Sequence, residues 1–301
     1  MKKFKLKDLI ASDKKSTQYF SNLRWNGKRL CPRCGYTKLY YYNSNKYGCQ
    51  KCRYNFGEFT RTYLGKLKIK PSIRAHLLHL FVEEQPAYTI RQHMKYDIST
   101  IERTFRLFRK AIYDKSLQQI HQQLKLFKEL GIDEGILNNH RRDDQYLEYK
   151  KEDIDGNEYI IFAIYEMNRF VTAFPILDIE ERVFNKLKKQ LRENKEFNYF
   201  NNHGSFYKNN DNDHIAYAVL DMEKRKVVAY SDVLRGKEDI YIGLEGFWSY
   251  VEKWLYHYRG VPKQYFHLYL KEIEFRFNNR NKKIFHELSK LLVEPIPTID
   301  R

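Results

Sequence analysis

Apolar side chains recur every three to four residues in two stretches of the N-terminal half, a spacing typical of amphipathic helices. The first stretch predicts a helix over Ile73–Val82. A short second helix is predicted over Thr89–Met94, and after a turn at residues 96–98 a third is predicted over Thr100–Ile112, with Ser99 as its cap. Two short helices, a turn and a basic third helix are typical of a helix-turn-helix, whose last helix enters the major groove of DNA.

The third predicted helix separates an apolar face from a basic face. Its buried positions are expected to be Ile101, Phe105, Phe108 and Ile112, and its exposed positions Arg103, Arg106 and Arg109. Arginine in a major groove reads guanine edges or holds phosphates. A three-helix packing unit with a solvated basic face is the alternative. The residues that we predict to contact DNA are Arg91, Thr100, Arg103 and Arg106.

The second half of the chain contains strand-like apolar runs and further helical segments. Tyr159–Ile176 predicts two adjacent strands around a turn at Glu166–Arg169. Strands interleaved with helices predict an α/β domain with a mixed sheet. The other predicted elements are strands over Phe197–Phe200 and Ile215–Leu220, helices over Ser116–Leu130, Val183–Leu191 and Tyr265–Phe277, and a polar loop over Lys208–Asp213.

The segment Gly243–Arg280 begins with an aromatic helical stretch. Glu245 is placed near the start of this predicted helix, beside its apolar stripe. A carboxylate held there can point into a cleft, whereas many first-turn glutamates only complement the helix dipole. The stripe consists of Phe247, Trp248, Val251, Trp254 and Leu255.

The four cysteines of the chain form two CxxC pairs, Cys31/Cys34 and Cys49/Cys52, separated by residues 35–48. Two such pairs at this separation predict a tetrahedral thiolate zinc site, and a redox dithiol is the alternative. Four protein ligands leave no open position, so the zinc would be structural. Strands over Leu39–Tyr42 and Tyr47–Gly48 would complete a zinc ribbon, whose basic and aromatic surface includes Arg33, Lys51 and Arg53.

The charge of the chain predicts a polyanionic partner. Lys and Arg number 55 against 38 Asp and Glu, a net charge of +17 over 301 residues. Nucleic acid is favoured over a membrane because we find neither an amphipathic membrane helix nor a lipidation motif. No signal peptide and no apolar run of about 18 residues is visible, so we expect a cytoplasmic protein without a membrane partner.

Several short motifs also follow one another in a specific order. They are Leu23-Arg24-Trp25, the two CxxC pairs with Gly35 and Arg53-Tyr54-Asn55-Phe56, the Thr100–Ile112 helix, Asp133-Glu134, Glu245-Gly246-Phe247-Trp248-Ser249 and Glu274–Arg280. In this order they resemble insertion-sequence transposases with an N-terminal zinc ribbon, the ISXO-two-like group of the IS-fifteen-ninety-five family. The resemblance covers nearly the whole chain.

The resemblance implies an α/β protein with a ribonuclease-H-like catalytic domain preceded by a zinc ribbon and a helix-turn-helix. We therefore divide the chain into a zinc-ribbon region at 1–62 and a helix-turn-helix with a linker helix at 63–130. A ribonuclease-H-like, DDE-type domain would follow at 131–292, and a tail at 293–301. The family further implies binding to double-stranded DNA, both element ends and target, by a homo-oligomer.

The family's active site is a set of three carboxylates that hold two divalent ions, magnesium or manganese, for phosphodiester attack. Asp133 matches the first acid and Glu245 the last. Asn202 stands at the second position, where its uncharged amide is a poorer ligand. Asp211 and Asp213 lie nearby, and solvated loop acids are the alternative interpretation of both.

Two more departures lie close to Glu245. Ile240 and Ile242 stand where the family often has His and Asn, and Glu252 stands where a basic residue is common. Two functions therefore stay open: a transposase that cuts its element ends and joins them to target DNA, or a weakened or inactive transposase-derived DNA-binding or accessory protein. A zinc-ribbon nuclease that cleaves without joining is a third.

Overall fold

The computed structural model describes residues 4–42, 46–129, 159–167, 170–176, 199–200, 204–209, 213–221, 226–229, 242–257, 261 and 265–296. It divides into two compact units. The N-terminal unit comprises Met1–Lys115 and Lys282–Arg301, and the central unit comprises Ser116–Asn281.

The N-terminal unit begins with two helices, α1 (Leu6–Ala11) and α2 (Asp13–Trp25). The hydroxyl oxygen of Ser12 caps α2 by accepting the backbone N–H of Lys15 at 3.3 Å. After α2 the chain forms an antiparallel sheet in the order β1 (Leu39–Tyr42), β2 (Lys46–Cys49) and β3 (Asn55–Gly57). The predicted hairpin is confirmed. The third strand was not predicted, because three residues are too few to show alternation.

Three helices follow the ribbon: α3 (Pro71–Val82), α4 (Ala87–His93) and α5 (Ile98–Glu129). Pro71 starts α3 at a position where a missing N–H costs no hydrogen bond. The rings of Phe81, Phe105 and Phe108 form the aromatic centre of the contact between α3 and α5. The centroid of the Phe81 ring lies 5.0 Å from that of Phe105 and 5.5 Å from that of Phe108. The predicted order of two short helices, a turn and a third helix is confirmed.

Three details of the third helix differ from the prediction. α5 begins at Ile98, and Asp97 rather than Ser99 caps it, because the Asp97 carboxylate accepts the Thr100 N–H at 3.3 Å. The helix also joins the two helices predicted over Thr100–Ile112 and Ser116–Leu130 into one. Ile112, Tyr113 and Ser116 are buried at the junction, and neither Gly nor Pro interrupts the helix.

Arg109 is the third correction, because it is buried rather than exposed. Its guanidinium lies 5.4 Å from the centroid of the Phe81 ring, against the core of the helical bundle. A long side chain with a delocalised cation can cover an aromatic face in this way. The predicted buried residues of the same helix, Ile101, Phe105, Phe108 and Ile112, are all confirmed.

The central unit contains a sheet in the order β5-β4-β8-β7-β6, and β9 pairs with β8. β4 pairs with β8 along its whole length, from Tyr159↔Asp221 to Met167↔Asp213, so β7 and β9 share the other edge of β8. The strands are β4 (Tyr159–Met167), β5 (Phe170–Ile176), β6 (Tyr199–Phe200), β7 (Gly204–Asn209), β8 (Asp213–Asp221) and β9 (Lys226–Ala229).

Several strand predictions can be compared with this sheet. The hairpin over Tyr159–Ile176 and the strand over Ile215–Leu220 are confirmed. The polar loop over Lys208–Asp213 is wrong at its ends, because Lys208 pairs with His214 and Asn209 with Asp213. All pairings among the described strands are antiparallel. The mixed sheet and the ribonuclease-H-like arrangement stay predictions, and the predicted helix Val183–Leu191 lies outside the described residues.

Two helices complete the described part of the central unit, α6 (Ile242–His257) and α7 (Phe266–Asn278). They pack through aromatic side chains: Phe247 meets Phe277 edge-on at 5.2 Å, and Trp254 meets Tyr269 at 5.8 Å. α7 also packs on β5. α6 contains the helical stretch predicted around Glu245, and α7 agrees with the predicted Tyr265–Phe277 within one residue at each end.

A last helix, α8 (Ile284–Val293), packs on α2 and α3 and so belongs to the N-terminal unit. The sequence-based division placed it in the domain over 131–292. Leu288 and Leu292 of α8 are buried, and the Tyr19 hydroxyl lies 3.3 Å from His286 Nδ1. The predicted tail also begins in contact with this unit, because the Ile296 N–H donates to the Arg61 carbonyl at 2.8 Å.

Candidate metal centre and nucleic-acid interface

The four cysteines meet at one end of the ribbon sheet. One ligand atom from each lies within 4.8 Å of all the others. The Sγ atoms of Cys31 and Cys52 are 3.6 Å apart, and so are those of Cys34 and Cys49. Cys31 and Cys49 are buried and Cys34 is exposed, so the cluster lies at the protein surface.

The two CxxC turns repeat the same backbone pattern. In the first turn the Cys31 carbonyl accepts the Gly35 N–H at 2.9 Å, and in the second the Cys49 carbonyl accepts the Arg53 N–H at 3.0 Å. Both turns end in the left-handed region, at φ +72° for Gly35 and φ +56° for Arg53. Backbone N–H groups also point at sulfur, from Arg33 to Cys31 at 3.4 Å and from Cys52 to Cys49 at 3.5 Å.

This geometry fits zinc. Four thiolates at about 2.3 Å from a tetrahedral ion lie about 3.8 Å from one another, close to the observed separations. Sulfurs this close cannot all ionise without a cation. Burial raises the pKa of Cys49, but hydrogen bonds from the Cys52 N–H and the Cys34 thiol outweigh it and lower that pKa to about 7. For Cys34 the Tyr36 backbone N–H lowers the pKa, yet burial and the other three cysteines raise it to about 12.

A buried carboxylate, Glu58, anchors the ribbon to α2. It accepts hydrogen bonds from the Ser21 hydroxyl, from the Trp25 indole at 2.8 Å and from Arg29 at 3.2 Å. Arg24 donates to the carbonyl oxygens of Glu58 and Thr60. The Arg24-Trp25 motif is therefore structural in this chain. Sequence reasoning missed Glu58, although it is the one acidic residue between 27 and 62.

The predicted DNA-contacting residues lie around the turn between α4 and α5. Arg91 is exposed in the last turn of α4, and Arg103 and Arg106 are exposed along the first turns of α5. Thr100 is half-buried, and its carbonyl accepts the Thr104 hydroxyl at 2.7 Å. The Ser99 hydroxyl donates to Asp97 and lowers the pKa of that carboxyl, which keeps the cap of α5 ionised. Three exposed arginines therefore lie on the two helices that flank this turn.

The predicted catalytic residues are only partly described. Asp133 and Asn202 lie outside the described residues, as does Asp211. The backbone of Glu245 is in the first turn of α6, as predicted, and its side chain also lies outside the described part. Ile242 is the first residue of α6. The arrangement of a DDE-type site around these positions stays a prediction.

The motif Glu274–Arg280 has a different role, because its described side chains hold α7 against the outer edge of β5, the edge that faces away from β4. Asn278 donates to the Val171 carbonyl at 2.6 Å and accepts the Val171 N–H at 2.9 Å. Glu274 accepts the Ala173 N–H at 2.8 Å. These side chains supply the hydrogen bonds that a further strand would make, so this part of the sheet edge is covered.

Two buried ion pairs lie in the same helix. Lys271 donates to Glu274 at 2.6 Å, and Arg276 donates to Glu272 at 2.8 Å. Burial lowers the pKa of Lys271, and the Glu274 carboxylate acts against that shift. Ser116 adds a further hydrogen bond to Glu274 at 3.2 Å. These contacts satisfy charges that would otherwise be expensive to bury.

Comparison with known proteins agrees with the cysteine geometry. Residues 11–55 match the model of a transposase zinc-ribbon domain. Over 52 residues the chain is 42% identical to an uncharacterized transposase-like protein of Haemophilus influenzae. This aligned region covers 17% of this chain and 42% of that protein. The chain thus spans less than half the length of this relative. No solved structure matches the chain. Within the described residues, no helix is long and apolar enough to cross a membrane.

Proposed function

We propose that this protein is related to transposases and binds double-stranded DNA through its zinc ribbon and its helix-turn-helix. The observation that carries the proposal is the ribbon: residues 11–55 match a transposase zinc-ribbon domain, and the cysteines of that segment meet at zinc-binding distances. The net charge of +17 and the arginines around the start of α5 support a polyanionic ligand. We also expect a cytoplasmic homo-oligomer.

The helix-turn-helix would supply sequence discrimination. The first turns of α5 are proposed to lie in the major groove, with Arg103 and Arg106 at base edges or phosphates and Arg91 at the adjacent backbone. Thr100 would contribute through its hydroxyl. The ribbon would add phosphate contacts that do not depend on sequence and strengthen binding at low salt.

Arg103→Ala should separate base reading from phosphate binding. We expect binding to the element ends to weaken by about tenfold or more, because one bidentate arginine contact contributes about 1–3 kcal/mol of discrimination. Binding to random duplex should change much less. Fluorescence anisotropy with labelled duplexes at one salt concentration measures both affinities. Lys14→Ala removes one exposed cation from α2 and is the charge-matched control.

Equal losses on the two duplexes would reduce Arg103 to a phosphate contact. If Lys14→Ala weakened binding to the element ends as much as Arg103→Ala, the assignment of α5 as the recognition helix would be wrong. DNA flanking the gene serves as the source of the candidate ends.

For catalysis, we propose cutting and joining of DNA by metal-dependent phosphodiester transfer. Asp133 and Glu245 would hold magnesium or manganese, which when bound activates the attacking oxygen and stabilises the leaving oxygen. Asn202 would contribute a neutral oxygen. This donor set has two negative charges where the family has three, so it neutralises two divalent ions poorly. That deficit favours the second candidate, a weakened or inactive derivative that still binds DNA.

The catalytic proposal is tested with purified protein and labelled element ends in magnesium or manganese. If the chain is an active transposase, wild type cleaves and joins, and Asp133→Ala abolishes both products. If wild type binds but is inert and Asn202→Asp gains activity, the chain is a DNA-binding derivative. Cleaved products without joined products would identify a nuclease. If neither wild type nor Asn202→Asp cuts the DNA, Ile240, Ile242 and Glu252 are the next positions to change.

A further inference from the structure

Two tyrosines form an exposed aromatic row on one face of the edge strand of the zinc ribbon. Tyr40, Tyr41 and Tyr42 belong to β1, which lies at the edge of the described ribbon sheet, and their exposed fractions are 47%, 64% and 47%. Because successive side chains of a strand point to opposite faces, Tyr40 and Tyr42 share one face and make up this row, whereas Tyr41 lies on the other face. Large aromatic side chains are more often buried, so two exposed ones side by side indicate a binding surface.

The ring of Tyr42 is supported from below. It lies directly over Gly48, where a Cβ would come within 2.8 Å of the tyrosine Oη. Glycine at this position therefore lets the ring lie flat against the sheet, with part of it open to solvent. On the opposite face Tyr41 packs against Tyr47 of β2, with ring centroids 5.4 Å apart, and Tyr47 stacks on Phe56 at 5.6 Å.

The surroundings of this row are strongly positive. Between residues 27 and 62 the basic residues are Lys28, Arg29, Arg33, Lys38, Lys46, Lys51, Arg53 and Arg61, and the one acidic residue, Glu58, is buried. Lys38 immediately precedes β1, and Lys46 pairs with Tyr42 across the hairpin; both are exposed. A polyanion is thus the occupant that this charge favours.

We propose that the tyrosine row of β1 is a stacking platform for unpaired bases, so that the ribbon binds single-stranded DNA as well as duplex. In a duplex the base faces are covered by their neighbours, so exposed rings find stacking partners only on unpaired or unstacked bases. Aromatic rings beside a basic groove are the usual composition of single-strand sites. The inference goes beyond the proposed duplex recognition by α5 and uses a different surface.

The test compares labelled oligo(dT) with a random duplex of equal length, at one salt concentration, by fluorescence anisotropy. We expect Tyr40→Ala and Tyr42→Ala each to weaken oligo(dT) binding by about tenfold or more, as is typical for loss of one stacked ring. Tyr40→Phe keeps the ring and should stay within about twofold of wild type. Tyr88→Ala removes an exposed tyrosine of α4, outside the ribbon; it is the control and should leave oligo(dT) binding unchanged.

Duplex binding should depend on Arg103 and oligo(dT) binding on the tyrosines. This makes failure of the platform distinguishable from failure of the helix-turn-helix proposal. Retained zinc in each variant shows that the ribbon is folded. Unchanged oligo(dT) affinity in the alanine variants would overturn the inference. It would also be overturned if these variants changed only the sedimentation of the free protein, because the row would then be a protein interface.

Discussion

Removing the zinc, by chelation or by Cys49→Ser, is expected to unfold the ribbon while leaving the central unit folded. Structural zinc contributes about 10–16 kcal/mol of apparent binding free energy in small zinc-binding peptides. The ribbon core is small, and two of its four buried residues, Cys31 and Cys49, are themselves predicted ligands. The other two, Tyr47 and Phe56, are joined only by partly buried side chains such as Trp25 and Leu39, which is too little apolar surface to hold the sheet without the metal. Elemental analysis should find one zinc per chain in wild type and none in the variant.

Hydrogen exchange gives the structural readout of this loss. Amides of β1, β2 and β3 should lose protection after zinc removal, whereas those of α7 should keep it. Thr37→Ala changes an exposed residue between the first CxxC pair and β1 and is the control for non-specific damage. A natively purified protein without zinc, or a ribbon that stays protected in Cys49→Ser, would contradict the assignment of the metal centre.

Glu274→Ala is expected to destabilise the central unit by about 3–5 kcal/mol, the usual cost of removing one partner from a buried ion pair. The substitution leaves Lys271, which is 1% exposed, without its carboxylate. It also removes the acceptor of the Ala173 N–H in β5. Urea unfolding followed by far-UV circular dichroism measures the loss.

The same variant should acquire a pH dependence of known sign. Burial lowers the pKa of Lys271 in the folded state, and loss of Glu274 removes the interaction that acts against this shift. The unfolded chain then binds more protons than the folded chain at pH values below 10.5, the ordinary pKa of lysine, so stability should rise as the pH is raised toward that value. The rise should be steeper than in wild type.

Glu287→Ala is the matched control for this experiment. Glu287 pairs with Lys290 at the same sequence spacing as Glu274 with Lys271, at 3.2 Å, but on an exposed face of α8. Exposed pairs of this kind contribute about 0–1 kcal/mol. If Glu274→Ala cost no more than Glu287→Ala, the buried pair would not be important for stability.

Local patterns predicted the elements that carry the candidate functions. CxxC spacing brought two thiols to each turn, and apolar periodicity located α3, α4 and the start of α5 to within two residues. These features depend on residues close together in the sequence, so one amino-acid sequence is enough to predict them. The same reasoning placed the cap of α5 at Ser99 instead of Asp97, because both residues, two positions apart, are suitable cap types.

Other properties depended on residues far apart in the chain. Arg109 has the spacing of an exposed arginine, yet Phe81 from α3 covers it. In the sequence, Glu274 and Asn278 are recognisable only as part of a family motif. Their contacts join residues far apart in the chain, because Glu274 binds Ala173 across 101 residues and Asn278 binds Val171 across 107. The sequence-based division assigned α8 to the end of the central domain, but in the structure this helix packs on α2 and α3.

The amino-acid sequence therefore made evident the cysteine cluster, the order of the three helices after the ribbon and the strong positive charge, because each rests on residue type and short-range spacing. Only the tertiary structure revealed the burial of Arg109 and the anchoring of α7 to β5. It also revealed that Glu58 anchors the ribbon to α2 and that α8 packs in the N-terminal unit. These features arise from which distant surfaces meet, and no periodicity within one segment specifies its partner.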